Sequence, residues 1–239
     1  MFNKTALITG ASRGLGRHIA REFTNHGFNT LLCARDMDKL KEVADELNQL
    51  DPGDSVALPI DFHKPDSLED LAEAVPRQWP PISVLINNAG HYDTGPLEKT
   101  DLETFQRHME VNCQGPFILM KKLLPEMARR GEGFVCNILA GGAVKSASEH
   151  CAFNASKFGL RGLTRSLARE YSHRGVHVCG LVIDGEIDSP QKRENQPERD
   201  PETFLDPHSI AGEIIHLYQQ PRDAWSLEVD LRPHAAYGD

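Results

Sequence analysis

The chain has 239 residues, of which 39% are hydrophobic and 26% are charged, a composition typical of globular proteins and unlike that of disordered ones. Its 26 Lys and Arg against 35 Asp and Glu leave a net charge of −9, which disfavours nucleic acid as a partner because phosphate binding requires clustered cations. At this length either one α/β domain or two small domains would fit.

The N-terminal residues, the apolar runs and the cysteine spacing give expectations about location and about metal or disulfide sites. The N-terminus enters a structured motif without a basic and apolar leader, and no apolar run reaches about 18 residues. We therefore expect a cytoplasmic protein with no membrane association. No two cysteines form a Cys-x-x-Cys pair, so we expect neither a metal site nor a disulfide framework. The cysteines are Cys33, Cys113, Cys136, Cys151 and Cys179.

Apolar strand-like runs alternate with amphipathic helical stretches along the first half of the chain. Helices are predicted where apolar residues recur at i, i+3, i+4 and i+7, and strands where the apolar run is short and continuous. The predicted elements are a strand at 5–9, a helix at 14–26, a strand at 29–34, a helix at 37–50, a strand at 55–60, a helix at 67–75 and a strand at 82–86.

The same alternation continues to the end of the second half. The predicted elements are two helices between 101 and 130, a strand at 133–139, a helix at 150–172, a strand at 176–183, a helix at 209–219 and a strand at 226–231. Strands that are apolar throughout are buried on both faces, which indicates a parallel sheet. We therefore predict one doubly wound Rossmann-type α/β domain over 1–239, with a seven-stranded parallel sheet and helices on both faces. The polar, proline-rich segment 188–207 is either a mobile loop over a substrate site or an ordinary surface loop.

A glycine-rich turn joins the first predicted strand to the first predicted helix. Its glycines have the spacing Gly-x-x-x-Gly-x-Gly. Only a backbone without Cβ can approach a pyrophosphate closely, and the helix N-terminus that follows offers free N–H groups. The strand–turn–helix context is the one that a dinucleotide-binding motif requires. The candidate cofactor contacts in this turn are Gly10, Ser12, Arg13, Gly14, Leu15 and Gly16.

Three further segments accompany the glycine turn. Asn87-Asn88-Ala89-Gly90 follows the fourth strand, Asn112 lies in the next helix, and Ser156-Lys157 lies early in the long helix. Together these motifs span nearly the whole chain and resemble those of the short-chain dehydrogenase/reductase family. The resemblance implies an oxidoreductase that uses a nicotinamide cofactor and acts on a small-molecule substrate.

Arg35 stands at the end of the second predicted strand, where NAD enzymes carry an acid that binds the ribose 2′-hydroxyl. A guanidinium suits a 2′-phosphate because it stays charged and binds oxyanions bidentately. Arg13 could add a second cation. We therefore favour NADP over NAD. Two alternatives stay open: Arg35 pairs on the surface with Asp36 or Asp38, and Arg13 is a solvated loop charge.

The resemblance implies further cofactor contacts after the later strands. Asp61, followed by Phe62, stands where the family's acid meets the adenine amino group, unless it only caps the next turn. Asn88, Ala89 and Gly90 match positions that lie along the cofactor.

The turn after the sixth predicted strand departs from the family pattern. Gly185 permits a tight turn beside the nicotinamide, and Ser189 retains a hydroxyl for the carboxamide or the pyrophosphate. The family's proline is absent, and added carboxylates at Asp184 and Glu186 place negative charge near the pocket. Anionic substrates are therefore disfavoured.

The catalytic pattern is only half present. The family uses a Tyr-x-x-x-Lys pair on the long helix, a Ser thirteen residues before that Tyr, and an Asn that holds a proton-relaying water. Lys157 and Asn112 match. Counting back from Lys157 gives Phe153 at the Tyr position and Ala140 at the Ser position. Since neither side chain can donate a proton, another group must act as the acid if the protein is an enzyme.

His150 is the preferred replacement acid, because imidazole titrates near neutral pH and this residue lies one helical turn before Phe153. It could instead be simply a helix-start residue. Lys157 has a second role available, hydrogen bonding to the nicotinamide ribose, and Asn112 could be a structural residue that bends its helix. The weaker acid candidates are Ser146, Ser148, Glu149, His91 and Tyr92. Of these, His91 and Tyr92 could instead line the pocket without taking part in catalysis.

Three functions remain open from the sequence. The first is an NADP-dependent oxidoreductase with an atypical acid, acting on an unidentified carbonyl or alcohol. The second is a catalytically silent NADP(H)-binding protein that acts as a sensor or partner, and the third is non-redox chemistry in the same site. The family resemblance implies a homodimer or homotetramer packed through the long helices, and the apolar residues Phe117, Leu119, Phe158 and Leu163 are compatible with that packing.

Overall fold

A parallel sheet forms the centre of the computed structural model, which describes residues 4–50, 54–63 and 79–237. Within these ranges seven strands pair in the order β3-β2-β1-β4-β5-β6-β9, and every neighbouring pair is parallel. The seven-stranded parallel sheet is therefore confirmed. The strands are β1 (Thr5–Thr9), β2 (Asn29–Ala34), β3 (Ser55–Pro59), β4 (Ile82–Asn87), β5 (Gly133–Ala140), β6 (Val176–Ile183) and β9 (Glu228–Leu231).

Helices follow the strands as the apolar periodicity predicts. In the described ranges they are α1 (Gly14–Asn25), α2 (Met37–Leu47), α3 (Leu102–Met109), α4 (Gly115–Arg130), α5 (Cys151–Tyr171), α6 (Pro190–Asn195) and α7 (Pro207–Gln219). The turn Glu110–Gln114 is π-helical and joins α3 to α4. The predicted helix at 67–75 lies outside the described residues.

Helix α2 ends before the predicted residue 50 because Asn48 binds the start of the next strand. Its side chain donates to Ser55 O (3.0 Å) and accepts from Ser55 N (2.6 Å). This pairing satisfies polar groups of both segments at the point where the chain leaves the helix.

Two apolar clusters lie on opposite faces of the sheet. In β1, Ala6 and Ile8 belong to one cluster and Leu7 to the other, as the two-residue period of a strand requires. The first cluster includes Ile19 of α1 and Ile214 of α7, while the second includes residues of α4 and α5. Helices therefore cover both faces, which confirms the predicted Rossmann-type architecture.

The segment 188–207 contains regular structure that the sequence did not predict. It carries α6, whose N-cap Ser189 accepts a hydrogen bond from Lys192 N (3.3 Å), followed by a short strand β8 (Phe204–Leu205). This strand pairs in parallel with β7 (Glu186–Ile187) in a separate two-stranded sheet. Pro190 at the first helical position and the serine cap are helix-start signals that account for α6. A closing role of this segment over a substrate site stays a prediction.

In the ranges that the structure describes, no helix combines the length and the apolar character needed to cross a bilayer. Across the same ranges, no group of three or more His, Cys, Asp and Glu side chains is arranged to hold a metal ion.

Candidate active site

A cleft of about 490 Å³ opens at the carboxyl ends of the strands around β1 and β4. The strand order reverses between these two strands, and ligands of open α/β sheets bind at such a switch point. Most of the sequence-predicted cofactor contacts come together here. Those that line the cleft are Gly10, Ser12, Arg13, Gly14, Leu15, Gly16, Arg35, Asp61, Phe62, Asn88, Ala89 and Gly90.

The glycine turn packs so tightly that two of its positions exclude a side chain. A Cβ on Gly16 would lie 2.2 Å from Gly10 O, and one on Gly10 would lie 2.9 Å from Ala89 Cα. Gly14 has a left-handed φ of +54° and nothing within 4 Å of its Cβ position. Arg13 is the N-cap of α1 but makes no side-chain capping bond. The first turn of α1 thus presents its N–H groups at the cleft, as a pyrophosphate site requires.

Thr9, which sequence reasoning missed, joins the glycine turn to the loop after β4. Its Oγ1 accepts hydrogen bonds from Asn88 N and Ala89 N, both at 3.0 Å. The Asn88 side chain returns a bond to Thr9 O at 2.9 Å. The amide of Asn88 therefore holds the two loops together rather than projecting into the cleft. The available signal was a threonine hydroxyl at the end of a buried strand, which requires a partner.

Two arginines give the adenosine end of the cleft its positive charge. Arg13 and Arg35 both line the cleft and are exposed. Asp36, the alternative partner of Arg35, instead caps α2 by accepting from Lys39 N and pairs with Lys39 Nζ at 2.8 Å. Among the described residues no ion pair is formed by either arginine. Both guanidinium groups are therefore available to an anion.

Asp61 and Phe62 form the wall of the cleft after β3. Asp61 Oδ1 accepts a hydrogen bond from His63 N at 3.1 Å, which is the turn-capping role left open above. The Phe62 ring fits over Gly115, where a Cβ would lie 2.3 Å from Phe62 Cδ1. The glycine at the start of α4 thus sets the position of this aromatic wall.

Lys157 is buried on α5, with 5% of its surface exposed. Its Nζ donates to Ile138 O at 2.9 Å and lies 3.9 Å from the Cβ position of Gly90, a residue of the cleft. Burial lowers the pKa of this ammonium to about 8. One turn earlier on the same helix, the Phe153 ring centroid lies 6.0 Å from Nζ, so an apolar ring stands beside this ammonium.

Asn112 is fully buried in the π-helical turn. Its Oδ1 accepts from His91 N (2.7 Å), and its Nδ2 donates to His91 O and to Ser156 Oγ (both 2.9 Å). Both amide hydrogens are therefore committed to protein groups. The side chain fixes the loop after β4 against α5, and π-helical turns are often found at functional sites.

His150 and Tyr92 meet beside Phe153. The two residues are 58 positions apart in the chain, yet Tyr92 Oη lies 2.9 Å from His150 Nε2. The Tyr92 ring packs edge-on against Phe153, with centroids 4.9 Å apart and planes at 87°. The other imidazole nitrogen, Nδ1, lies 2.6 Å from Ser148 O. Tyr92 and His150 thus form a hydrogen-bonded pair whose phenol ring contacts Phe153.

Gly185 and Ser189 lie outside the lining of the cleft. A Cβ on Gly185 would lie 2.9 Å from Pro233 Cδ, so this glycine is required by packing. The Ser189 hydroxyl caps α6, as described above. Neither position contradicts a contact with the nicotinamide end of a cofactor, which stays a prediction.

The carboxylates of this region are neutralised by cations that the sequence did not place. Glu186 pairs with Lys192 and with Arg199, and the latter distance is 2.7 Å. Asp184 pairs with Lys145. These ion pairs offset part of the negative charge near the pocket, with Lys192 and Arg199 coming from the segment after β6 and Lys145 from the turn after β5. The expectation that anionic substrates are disfavoured stays a prediction.

Three comparisons with known proteins agree with this geometry. A model of the short chain dehydrogenase family matches residues 4–200. The chain is 27% identical, over 97% of both chains, to an uncharacterized oxidoreductase of Staphylococcus saprophyticus. It is 28% identical to an alcohol dehydrogenase of Thermococcus sibiricus complexed with 5-hydroxy-NADP, covering 97% of both chains with a TM-score of 0.85. A metagenomic short-chain oxidoreductase in complex with NADP gives 28% identity and a TM-score of 0.83, over 96% of this chain and 97% of the other.

Proposed function

This chain belongs to the short-chain dehydrogenase family, and we therefore propose that it is an NADP-dependent oxidoreductase acting on a small carbonyl or alcohol compound. The observation that carries the proposal is the cleft itself, in which a glycine turn, a helix N-terminus and two unpaired arginines of the described chain converge. Structural relatives that cover nearly the whole chain hold NADP or 5-hydroxy-NADP, which supports the same cofactor here.

The residues of the cleft fit the parts of that cofactor in order. The N–H groups at the start of α1 would hold the pyrophosphate, while Arg13 and Arg35 would hold the 2′-phosphate. Lys157 Nζ, close to Gly90, would bind the nicotinamide ribose hydroxyls. Asn112 positions the loop beside it. The bound cofactor would supply or accept a hydride.

The proposed source of the proton is the hydrogen-bonded pair of His150 and Tyr92. Phe153 and Ala140 give the substrate side an apolar wall, so the proton must come from outside the family's usual pair. The hydrogen-bonded His150 and Tyr92 stand next to that wall. Imidazole changes charge near neutral pH, which suits acid catalysis in one direction and base catalysis in the other.

Replacing Arg35 by Asp tests the cofactor assignment. We expect the native protein to bind NADP(H) more tightly than NAD(H), and Arg35→Asp to weaken NADP(H) binding by about 1–3 kcal/mol, the value of a hydrogen bond to a charged group. Calorimetric titration of both cofactors measures this. Arg21→Asp, which makes the same charge change outside the cleft, is the control and should leave the preference intact. Equal native affinities for the two cofactors would refute the assignment.

A silent NADP(H)-binding protein is the second candidate. The observation that favours it is Phe153, an apolar ring beside the buried Lys157. A broad panel of carbonyls and alcohols, followed by the absorbance of the reduced cofactor, separates the two functions. Turnover of any compound supports the oxidoreductase, whereas tight cofactor binding with no turnover supports the silent protein.

A further inference from the structure

We propose that Tyr92 is the catalytic acid and base that touches the substrate oxygen, and that His150 acts only through it as a proton relay. This inference rests on the proposed oxidoreductase function and assigns its proton transfer to a specific phenol. The observation that carries it is the hydrogen bond between Tyr92 and His150. Tyr92 follows the cleft residue Gly90 by two positions, and His150 lies in a distant loop.

The His150 ring is not free to act directly on a substrate. Its Nδ1 is 2.6 Å from a backbone carbonyl, Ser148 O, which can only accept, so Nδ1 carries a hydrogen. Its Nε2 is 2.9 Å from the Tyr92 hydroxyl. Both ring nitrogens thus have protein partners. Tyr92, in contrast, is 60% exposed, so this residue is accessible from solvent.

The loop that carries Tyr92 is anchored on both sides of this residue. Before it, the backbone N and O of His91 both bind the Asn112 side chain. After it, Asp93 N donates to His108 Nε2 at 3.2 Å, and Gly95 N donates to Glu149 O at 2.8 Å. A phenol on such a loop is held in position before a substrate arrives, which is a general requirement of acid catalysis.

The segment that carries His150 is held in an unfavourable backbone conformation. Ser146 and Glu149 have left-handed φ values of 60° and 63°, although neither is glycine. Such conformations are costly for residues with a Cβ and persist where the surrounding contacts hold them in place. Here Glu149 O accepts from Gly95 N of the Tyr92 loop. The two loops are therefore locked to each other at the point where the phenol and the imidazole meet.

The phenol lies directly beside the position that the sequence spacing assigns to the missing tyrosine. Its ring packs edge-on against Phe153, the residue one helical turn before Lys157. In the proposed reaction its hydroxyl, and not one on that helix, faces the substrate oxygen. The described structure thus replaces the Tyr–Lys pair of one helix by a Tyr–His pair built from two loops.

The proton balance follows from this arrangement. With His150 protonated, Nε2–H donates to Tyr92 Oη, and the phenolic hydrogen is left for the substrate. On reduction, the carbonyl carbon gains the hydride supplied by the cofactor, the π-electron pair moves to the oxygen, and that oxygen takes the Tyr92 proton. The resulting phenolate takes the Nε2 proton, and neutral His150 is reprotonated by solvent. In the oxidation direction, neutral His150 accepts the proton that Tyr92 receives from the alcohol.

The electrostatic surroundings keep a proton on the phenol until it is needed. Burial, and then the Glu186 carboxylate, raise the pKa of Tyr92, so this residue is neutral at physiological pH. The raised pKa also makes the phenol a weaker acid, and a positive charge on His150 at hydrogen-bond distance would offset this by favouring the phenolate. The other titratable groups that face the pair from the surrounding elements are Glu149, Cys151, Asp93, His91, His108 and Lys157.

The test compares Tyr92→Phe with Tyr218→Phe. The first removes only the hydroxyl that is the proposed proton donor. The second removes the hydroxyl of a tyrosine outside the cleft, where it accepts a hydrogen bond from Lys4. On a substrate found with the panel, we expect Tyr92→Phe to lower kcat about 10²–10⁴-fold, the usual value of general acid catalysis, with NADPH affinity unchanged. Tyr218→Phe should keep the native kcat. His150→Gln should keep residual activity but change the pH profile of kcat, which a merely structural role of His150 would not do.

A second readout uses the protein without cofactor. The ¹⁵N resonance of His150 Nε2 should shift in Tyr92→Phe and stay constant in Tyr218→Phe, because only the former removes its hydrogen-bond partner. An active native protein whose kcat is unchanged by Tyr92→Phe would overturn this inference and leave the proposed function standing. A native protein that binds NADPH but turns over no compound would overturn both, and unchanged Nε2 resonances would overturn the Tyr–His pair itself.

Discussion

At the scale of single residues, Lys157 shows what burial does to an ammonium group. Its Nζ donates to the backbone carbonyl of Ile138, and the apolar ring of Phe153 lies beside it. Burial of the ammonium lowers its pKa to about 8. Keeping this ammonium charged therefore lowers the free energy of unfolding. Such a cost is typical of functional sites, where a ligand requires the charge.

Lys157 therefore makes the stability of the cofactor-free protein depend on pH. Between pH 8 and 10.5 the unfolded chain binds more protons at this residue than the folded one, so the free energy of unfolding rises with pH there. Replacement by Met should remove this rise, which amounts to roughly 3 kcal/mol for a shift of this size. Urea unfolding of native protein and variant at about pH 7 and about pH 10 measures it.

Lys121→Met, an exposed position on α4, is the matched control and should keep the native pH dependence. Identical slopes for native protein and Lys157→Met would show that the ammonium is not buried in solution.

At the scale of elements, strand β5 and helix α5 bring Ala140 and Phe153 to the same side of the site. Ala140 ends β5 and pairs with Ile183, and Phe153 lies in the first turn of α5. A Cβ on Gly142, in the turn between these elements, would lie 3.0 Å from the Phe153 ring. The strand end and the helix start thus hold the two residues that the sequence spacing assigns to the family's Ser and Tyr positions, an assignment that stays a prediction.

These elements should accept the family's own pair. In a Tyr92→Phe background, the double change Ala140→Ser with Phe153→Tyr should raise carbonyl reduction about 10²-fold or more, since the ammonium of Lys157 would stabilise the new phenolate. Each single change should give much less, because both groups act on one oxygen. Steady-state kinetics on the substrate found above decide it, and a folded, NADPH-binding triple variant with no gain would count against the assignment of these positions.

At the scale of the whole molecule, α4 and α5 present an apolar surface to the outside. Phe117 is 43% exposed and Phe158 is 42% exposed. Leu119, named above as a further interface residue, is instead fully buried in the core of this chain, and Leu163 packs partly against the same core. In a homo-oligomer that packs through these helices, Phe117 and Phe158 would therefore form the centre of the interface with a second copy of the chain.

The assembly is expected to depend on Phe158. A charge in the middle of an apolar contact is costly to bury, so Phe158→Asp should shift a dimer or tetramer towards monomer. Because Phe158 is exposed in the single chain, the substitution should leave the monomer folded. Sedimentation velocity over a range of concentrations measures this. Phe158→Leu, which keeps an apolar side chain, should retain the native assembly, and a native protein that is monomeric throughout would rule the interface out.

The sequence by itself determined the sheet, the helices that cover it and the cofactor end of the site. These features depend on local pattern: apolar periodicity, a turn in which a Cβ would clash, and an arginine at a strand end. Lys157 and Asn112 were found in the same way, through spacing along the chain. Helix α6 was missed only because a serine cap and a proline lay inside a polar segment.

The tertiary structure alone decided the substrate end. Tyr92 meets His150 across 58 residues, Asn112 closes on the backbone of His91, and the acids after β6 receive cations from a segment that looked unstructured. No short sequence pattern predicts these contacts. Each of them depends on how the sheet places two separate loops, and not on the composition of either loop. Which proton donor faces the substrate is for that reason a property of the fold, while the capacity to hold a nucleotide is already present in the order of the residues.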